Sequence, residues 1–88
     1  MKLKIDRSFE KDTDKLHDAK LLLKIAHCIE QIITAPTKEE IQNIKKLKGF
    51  KHHYRIRIGD YRIGAIILDE EITLERFIHR KEIYKYYP

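Results

Sequence analysis

The chain has 88 residues, of which 42% are apolar and 38% charged, with a formal net charge of +5. This is one domain over residues 1–88: too apolar for a disordered chain, too charged to span a membrane, and too short for a second core. No stretch approaches the roughly 20 apolar residues of a transmembrane helix, and the start "MKLKIDRSFEKD" lacks the apolar run of a secretory signal, so a soluble cytoplasmic protein with no membrane partner is expected.

Met1 to Asp6 alternates, Leu3 and Ile5 against Lys2, Lys4 and Asp6, the pattern of a half-buried strand. A short helix follows from Ser8 to about Leu16. From Asp18, "DAKLLLKIAHCIEQIITAP" sets Lys20, Lys24, His27 and Gln31 on one polar stripe of a helix. The remaining surface is apolar and must pack against a sheet, the preceding helix, or both. Pro36 ends this helix, because it disfavours helical geometry at Ala35 and has no N–H to donate. The single cysteine, Cys28, has no disulfide partner and reads as an inert core thiol.

Thr37 and Glu40 have capping-box spacing, which predicts a short helix to about Lys46, with Gly49 closing the connection. Beyond it the period falls to two, and "HYRIRI", "YRIGAIIL" and "TLERFI" read as strands joined by turns at Gly59-Asp60 and at "DEE", residues 69–71. The closing "RKEIYKYYP" has room for a turn or two of helix. The order β-α-α-(α)-β-β-β is a small α+β domain with antiparallel hairpins and two helices on one face.

Charge is concentrated. Residues 45–62, "KKLKGFKHHYRIRIGDYR", hold seven Lys or Arg against the single acid Asp60, and the rest of the chain nets to −1. A localised basic segment is the footprint of a polyanion-binding surface. A two-residue turn at Gly59-Asp60 pairs Ile58 with Tyr61, Arg57 with Arg62, Ile56 with Ile63 and Arg55 with Gly64. Tyr54, Ile56, Ile58, Tyr61 and Ile63 then share the face covered by helices, and Arg55, Arg57 and Arg62 share the other. Like charges directly opposite destabilise a sheet by up to about 1 kcal/mol. Either a carboxylate such as Glu75 or Glu82 neutralises the pair within the fold, or an anionic ligand does; the ligand is the expectation.

The run "LKGFKHHYRIRIGDYRIGAIILDEEITLERFIHRKEIYKYYP" resembles the C-terminal half of the RelE/ParE superfamily of type II toxin–antitoxin toxins, and the preceding strand and helical hairpin are similar too. The most specific parts are "LKG", "YRIRIGDYRI" and "HRKEIYK". The resemblance implies an N-terminal strand and helical hairpin packed on one face of a mainly antiparallel four-stranded sheet. It also implies, for RelE-like members, cleavage of mRNA in the ribosomal A site without metal or other cofactor, silenced by a cognate antitoxin. Carried over by position, Arg55 and Arg57 match basic strand positions that hold RNA phosphates. Arg62 matches the arginine facing the scissile phosphate, and Arg80 the arginine that stabilises transition-state charge or the leaving group. Tyr84 matches the tyrosine that stacks on or orients a base. Lys51 and His53 join the RNA-binding set.

The chemistry is compatible. Attack by the RNA 2′-OH needs a base, cations for the phosphorane charge and an acid for the 5′-oxygen, and guanidinium groups are planar, permanently charged and bidentate toward phosphate. His79, or one of His52 and His53, is a candidate base or acid because histidine titrates near neutral pH. No carboxylate precedes the hairpin where some nuclease members keep a glutamate base, which leaves the base unassigned. Ala65 stands where many relatives carry an aromatic ring, which points to a smaller stacking surface. The five histidines and one cysteine show no zinc-type spacing.

Three functions share this pattern: a ribosome-dependent endoribonuclease, a ParE-like inhibitor of DNA gyrase, and a non-catalytic subunit that binds antitoxin and operator DNA. Arg62, Arg80 and Tyr84 favour the first, and Ala65 is the hint for the third. In each, an antitoxin helix or extended segment is expected to cover the apolar and basic surfaces, with acidic residues over Arg55, Arg57 and Arg62.

Overall fold

In the computed structural model, which describes residues 1–88, strand β1 (Lys2–Ile5) leads through Asp6 into helix α1 (Arg7–Asp14), and Asp18 starts helix α2 (Ala19–Thr34). Both aspartates are N-caps. The Asp6 carboxylate accepts from the Ser8 N–H and that of Asp18 from the Leu21 N–H, each at 3.1 Å, which satisfies donors that a helix start leaves without partners. Ala35 is extended (φ −68°, ψ 126°) ahead of Pro36, so α2 stops where proline sterics demand.

The segment after Pro36 departs from the expected helix. Thr37 makes no capping hydrogen bond, and only one 3₁₀ turn forms, at Lys38–Glu40. Asn43 takes a left-handed φ of 63°, which a short polar side chain tolerates and a continuing helix excludes. The chain leaves as strand β2 (Ile44–Lys46), antiparallel to β3 (His53–Ile58), with Ile44 opposite Ile56, Lys45 opposite Arg55 and Lys46 opposite Tyr54. Pairing with the open edge of β3 outweighs the helical spacing of Ile41 and Ile44. Gly49, at φ 88°, closes the β2–β3 connection as expected.

Strands β3, β4 (Tyr61–Leu68) and β5 (Glu71–His79) form an antiparallel meander, and the four pairings predicted across Gly59-Asp60 are all present. β1 lies parallel to β5, with Leu3 opposite Ile72, so the sheet order is β1-β5-β4-β3-β2. The expected mainly antiparallel four-stranded sheet therefore has a fifth strand, because β2 adds an antiparallel edge, and its one parallel pair is β1 with β5. Where β1 stops, α1 takes over the β5 edge: the Asp12 carboxylate accepts from the Phe77 N–H at 2.9 Å and from Arg76 Nε at 2.8 Å and Nη2 at 3.2 Å.

The main core joins Phe9 of α1 and Ile25, Cys28 and Ile32 of α2 to one sheet face, built from Tyr54, Ile56, Ile58, Ile63, Ala65, Ile67, Ile72, Leu74 and Phe77. The apolar surface of α2 is only partly used. Leu22, Leu23 and Ile33 stay exposed, since α1 packs on β5 and leaves that side of α2 uncovered. Between Gly64 and Ala65 the β4–β5 register shifts, so that Gly64 lies opposite Arg76 and Ala65 opposite Leu74, with Glu75 as the extra residue. This bulge resets the alternation. Leu74 and Phe77 both face the helices, whereas Ile78 joins Leu47, Ile83 and Tyr87 in a second, small cluster. Ile83 and Tyr87 belong to the C-terminal segment, whose one-turn helix is α3 (Ile83–Tyr86). No helix is long and apolar enough to cross a membrane.

Candidate functional site

On the sheet face away from α1 and α2, Arg57 and Arg62 stand directly opposite each other, and Arg55 has Lys45 as its neighbour on β2. None of Arg55, Arg57 and Arg62 has a carboxylate within ion-pair distance; the ion pairs present are Lys2 and Lys4 with Glu71, Arg76 with Asp12, and Arg80 with Asp60. Glu75, one of the two carboxylates that the sequence offers for neutralising the pair, instead accepts from the Tyr87 hydroxyl at 2.8 Å. Arg57 Nη2 donates to Asn43 Oδ1 at 3.3 Å, and Arg62 Nη1 donates to the carbonyls of Gly59 and Tyr61 at 3.0 and 2.8 Å. These neutral acceptors orient the guanidiniums without neutralising them. A guanidinium has five N–H donors, so most remain free for an anion.

Burial, and then repulsion from Arg55, Arg57 and Arg80, hold the Arg62 guanidinium below its ordinary pKa, with Tyr84 pulling the other way. Arg62 is thus the electrostatic centre of a five-residue group. Arg80 sits at its rim, with Nε 3.6 Å from the Asp60 carboxylate in an exposed pair and its N–H bonded to the Asp60 carbonyl. Tyr84 stands over Arg55, with its ring centroid 5.7 Å from the guanidinium carbon, a cation–π contact. A cleft of about 340 Å³ is lined by Asn43, Lys45, Arg55, Arg57 and Arg62; it adjoins through Lys45 and Arg55 a groove of about 560 Å³ that adds Lys46, Lys48, Phe50 and Tyr84.

The sequence-predicted residues thus divide. Arg55, Arg57, Arg62, Arg80 and Tyr84 are brought together. His53 shares their face but is held between Phe50, at 5.2 Å, and Tyr87, at 5.7 Å. Lys51 is exposed in the turn before β3. His79 is not brought to the arginines: it lies opposite Tyr61, with its ring edge-on to that tyrosine at 5.3 Å and its Nδ1 accepting from the Lys81 N–H. Tyr61 in turn stacks on Phe77 at 4.9 Å on the helix-covered side. The bulge at Glu75 sets this parity. Ala65 is fully buried in the main core, so it removes no stacking surface from the arginine face. Lys45 and Asn43 were missed because residues 41–46 have helical spacing; the visible signals were the run "KKLK" and the readiness of asparagine to adopt a left-handed turn.

A mixed sheet covered by helices on one face and presenting unneutralised arginines on the other makes this a small α+β domain with an open cationic face. The family described as ParE toxin of type II toxin–antitoxin system, parDE, matches residues 3–84. Toxin RelE3 of Methanocaldococcus jannaschii is 35% identical over 89 residues, covering all of both chains. The toxin fold is also shared with a RelB-RelE antitoxin–toxin complex from Methanococcus jannaschii, at TM-score 0.81 and 33% identity over 97% of this chain and 99% of that one. The archaeal RelE-RelB complex from Pyrococcus horikoshii OT3 shares the fold at TM-score 0.72, with 23% identity over 90% of this chain and 93% of that one. The chain belongs to the RelE/ParE superfamily of type II toxin–antitoxin toxins.

Proposed function

We propose that the chain is a ribosome-dependent endoribonuclease that cleaves mRNA in the A site. The observation that carries this reading is the group of Arg55, Arg57 and Arg62, free of carboxylates and flanked by Arg80 and Tyr84. The 2′-oxygen of the RNA attacks phosphorus as its proton leaves, the bond to the 5′-oxygen breaks, and a 2′,3′-cyclic phosphate and a 5′-hydroxyl result. Charge on the non-bridging oxygens grows along this path, and fixed guanidinium donors stabilise it most where charge is greatest. Arg62 and Arg57 suit that task, Arg80 suits the leaving oxygen, and Tyr84 suits a flanking base. Lys45 and Asn43 extend the phosphate cradle. No base is assigned, since His79 lies apart and His53 is enclosed by aromatic rings.

A cognate antitoxin of the RelB kind fits as partner, with acidic residues over the arginines and apolar ones over Leu22, Leu23 and Ile33. Co-purified antitoxin should reduce RNA binding; undiminished binding would sink this masking. The match to the ParE description supports a second reading, inhibition of DNA gyrase by binding alone. Inducing the chain alone, with primer-extension mapping of mRNA ends, separates the two. New ends at codon-phased positions that vanish in Arg62→Ala and Arg80→Ala support the nuclease. Growth arrest with intact mRNA supports gyrase, and no arrest leaves a subunit that binds antitoxin and operator DNA.

A further inference from the structure

The C-terminal segment folds back over the arginine face, and two tyrosines three residues apart meet opposite fates there. Tyr84 on α3 points outward, 68% exposed, against Arg55. Tyr87 is 5% exposed and packs with Leu47, Ile78 and Ile83. Its ring lies over the middle of β4: a Cβ built at Gly64 would come 2.7 Å from two of its carbons. The backbone of Gly64 is not in the left-handed region, so no turn requires a glycine there, and glycine weakens a strand interior. The close approach of the Tyr87 ring is what position 64 accommodates. Glu75, the extra residue of the β-bulge, accepts from the Tyr87 hydroxyl at 2.8 Å, and the His53 ring covers another side at 5.7 Å.

We propose that Tyr87 is a positioning residue for the site: seated on Gly64 and tied to Glu75, it locks α3 so that Tyr84 stands against Arg55 before substrate arrives. This rests on the nuclease reading above. A one-turn helix has no stability of its own, and Tyr84 makes no hydrogen bond that would hold it in place. The only enclosed anchors of the segment are Ile83 and Tyr87. Of the two, Tyr87 alone reaches across to β3, β4 and β5 together, through His53, Gly64 and Glu75.

The test compares single-turnover cleavage of a short mRNA on programmed ribosomes with a structural readout that needs no RNA. Tyr87→Ala should lower the cleavage rate by about a hundredfold, as far as Tyr84→Ala does, while leaving the substrate concentration for half-maximal rate little changed. The double variant should lose no more than Tyr84→Ala alone, because both act through one ring. Tyr87→Phe, which keeps the ring seated, should restore most of the rate. In NMR spectra, contacts between the Tyr84 ring and the Arg55 side chain should disappear in Tyr87→Ala, while methyl signals of Ile63 and Leu74 in the main core stay in place. Gly64→Ala evicts the ring without removing it and should reproduce the effect if Tyr87→Ala proves too unstable to purify. Persistence of the Tyr84–Arg55 contacts in either variant, or multiplying losses in the double variant, overturns the proposal. A wild-type chain that leaves mRNA intact overturns the nuclease reading instead, and the NMR contacts still report whether Tyr87 holds Tyr84.

Discussion

Arg57 and Arg62 face each other across β3 and β4 with no carboxylate between them, a pairing that works against folding. Arg57→Gln should therefore leave stability unchanged or raise it by up to about 1 kcal/mol, while lowering the proposed cleavage by about a hundredfold. Urea denaturation and ribosome-programmed cleavage, measured on the same preparation, would show the opposite signs. A clear loss of stability would mean that the bond to Asn43 outweighs the repulsion. Added salt should stabilise the wild type more than the variant, because it screens charges on this exposed face. These residues were legible in the sequence because strand alternation and a two-residue turn determine both face and partner. The place of His79 was not legible there, since the bulge at Glu75 shifts the alternation along β5 and nothing local in the sequence marks it.

At the scale of elements, the caps separate pattern from use. Asp18 caps α2 through the Leu21 N–H, whereas the Thr37 side chain caps nothing. Asp18→Ala should cost about 1 kcal/mol and Thr37→Ala less than about 0.5 kcal/mol, read from chemical denaturation. Asp12, inside α1, caps no helix and serves the sheet instead. It replaces a strand neighbour at the β5 edge and holds Arg76, whose guanidinium pKa is raised by that hydrogen bond. Asp12→Ala should destabilise by about 1–3 kcal/mol, since it strips partners from the Phe77 N–H and from a guanidinium that is partly shielded from solvent. If Asp12→Ala costs no more than Thr37→Ala, the edge-sealing role is wrong. Strand β2 was hidden because Ile41 and Ile44 fit a helix as well as a strand. Only the open edge of β3 decides between them.

For the whole molecule, stability should fall at alkaline pH. Burial pushes the Cys28 thiol from 9.0 up to about 11, and burial with the hydrogen bond to Glu75 raises the Tyr87 phenol well above its usual range. Both groups are acids whose folded pKa exceeds the unfolded value, so their contribution is complete below about pH 9 and is lost as pH rises, because the unfolded chain releases protons that the fold retains. Cys28 alone should account for up to about 3 kcal/mol between about pH 9 and about pH 11. Urea midpoints across that window should fall less steeply in Cys28→Ala; parallel slopes would mean that the thiol is solvated in the native state. The same burial should keep Cys28 from thiol reagents until the chain unfolds.

Hairpin register, the capped helix α2, the class of fold and the segregation of arginines to one face follow from local rules: alternation, turn chemistry and proline sterics act between near neighbours in the chain. The fifth strand, the parallel seat of β1 beside β5, the bulge that turns His79 away, the core position of Ala65 and the descent of Tyr87 onto Gly64 depend on residues far apart in sequence. Their energies come from filling an edge, a face or a gap that exists only after the sheet has assembled, so only the tertiary structure decided them.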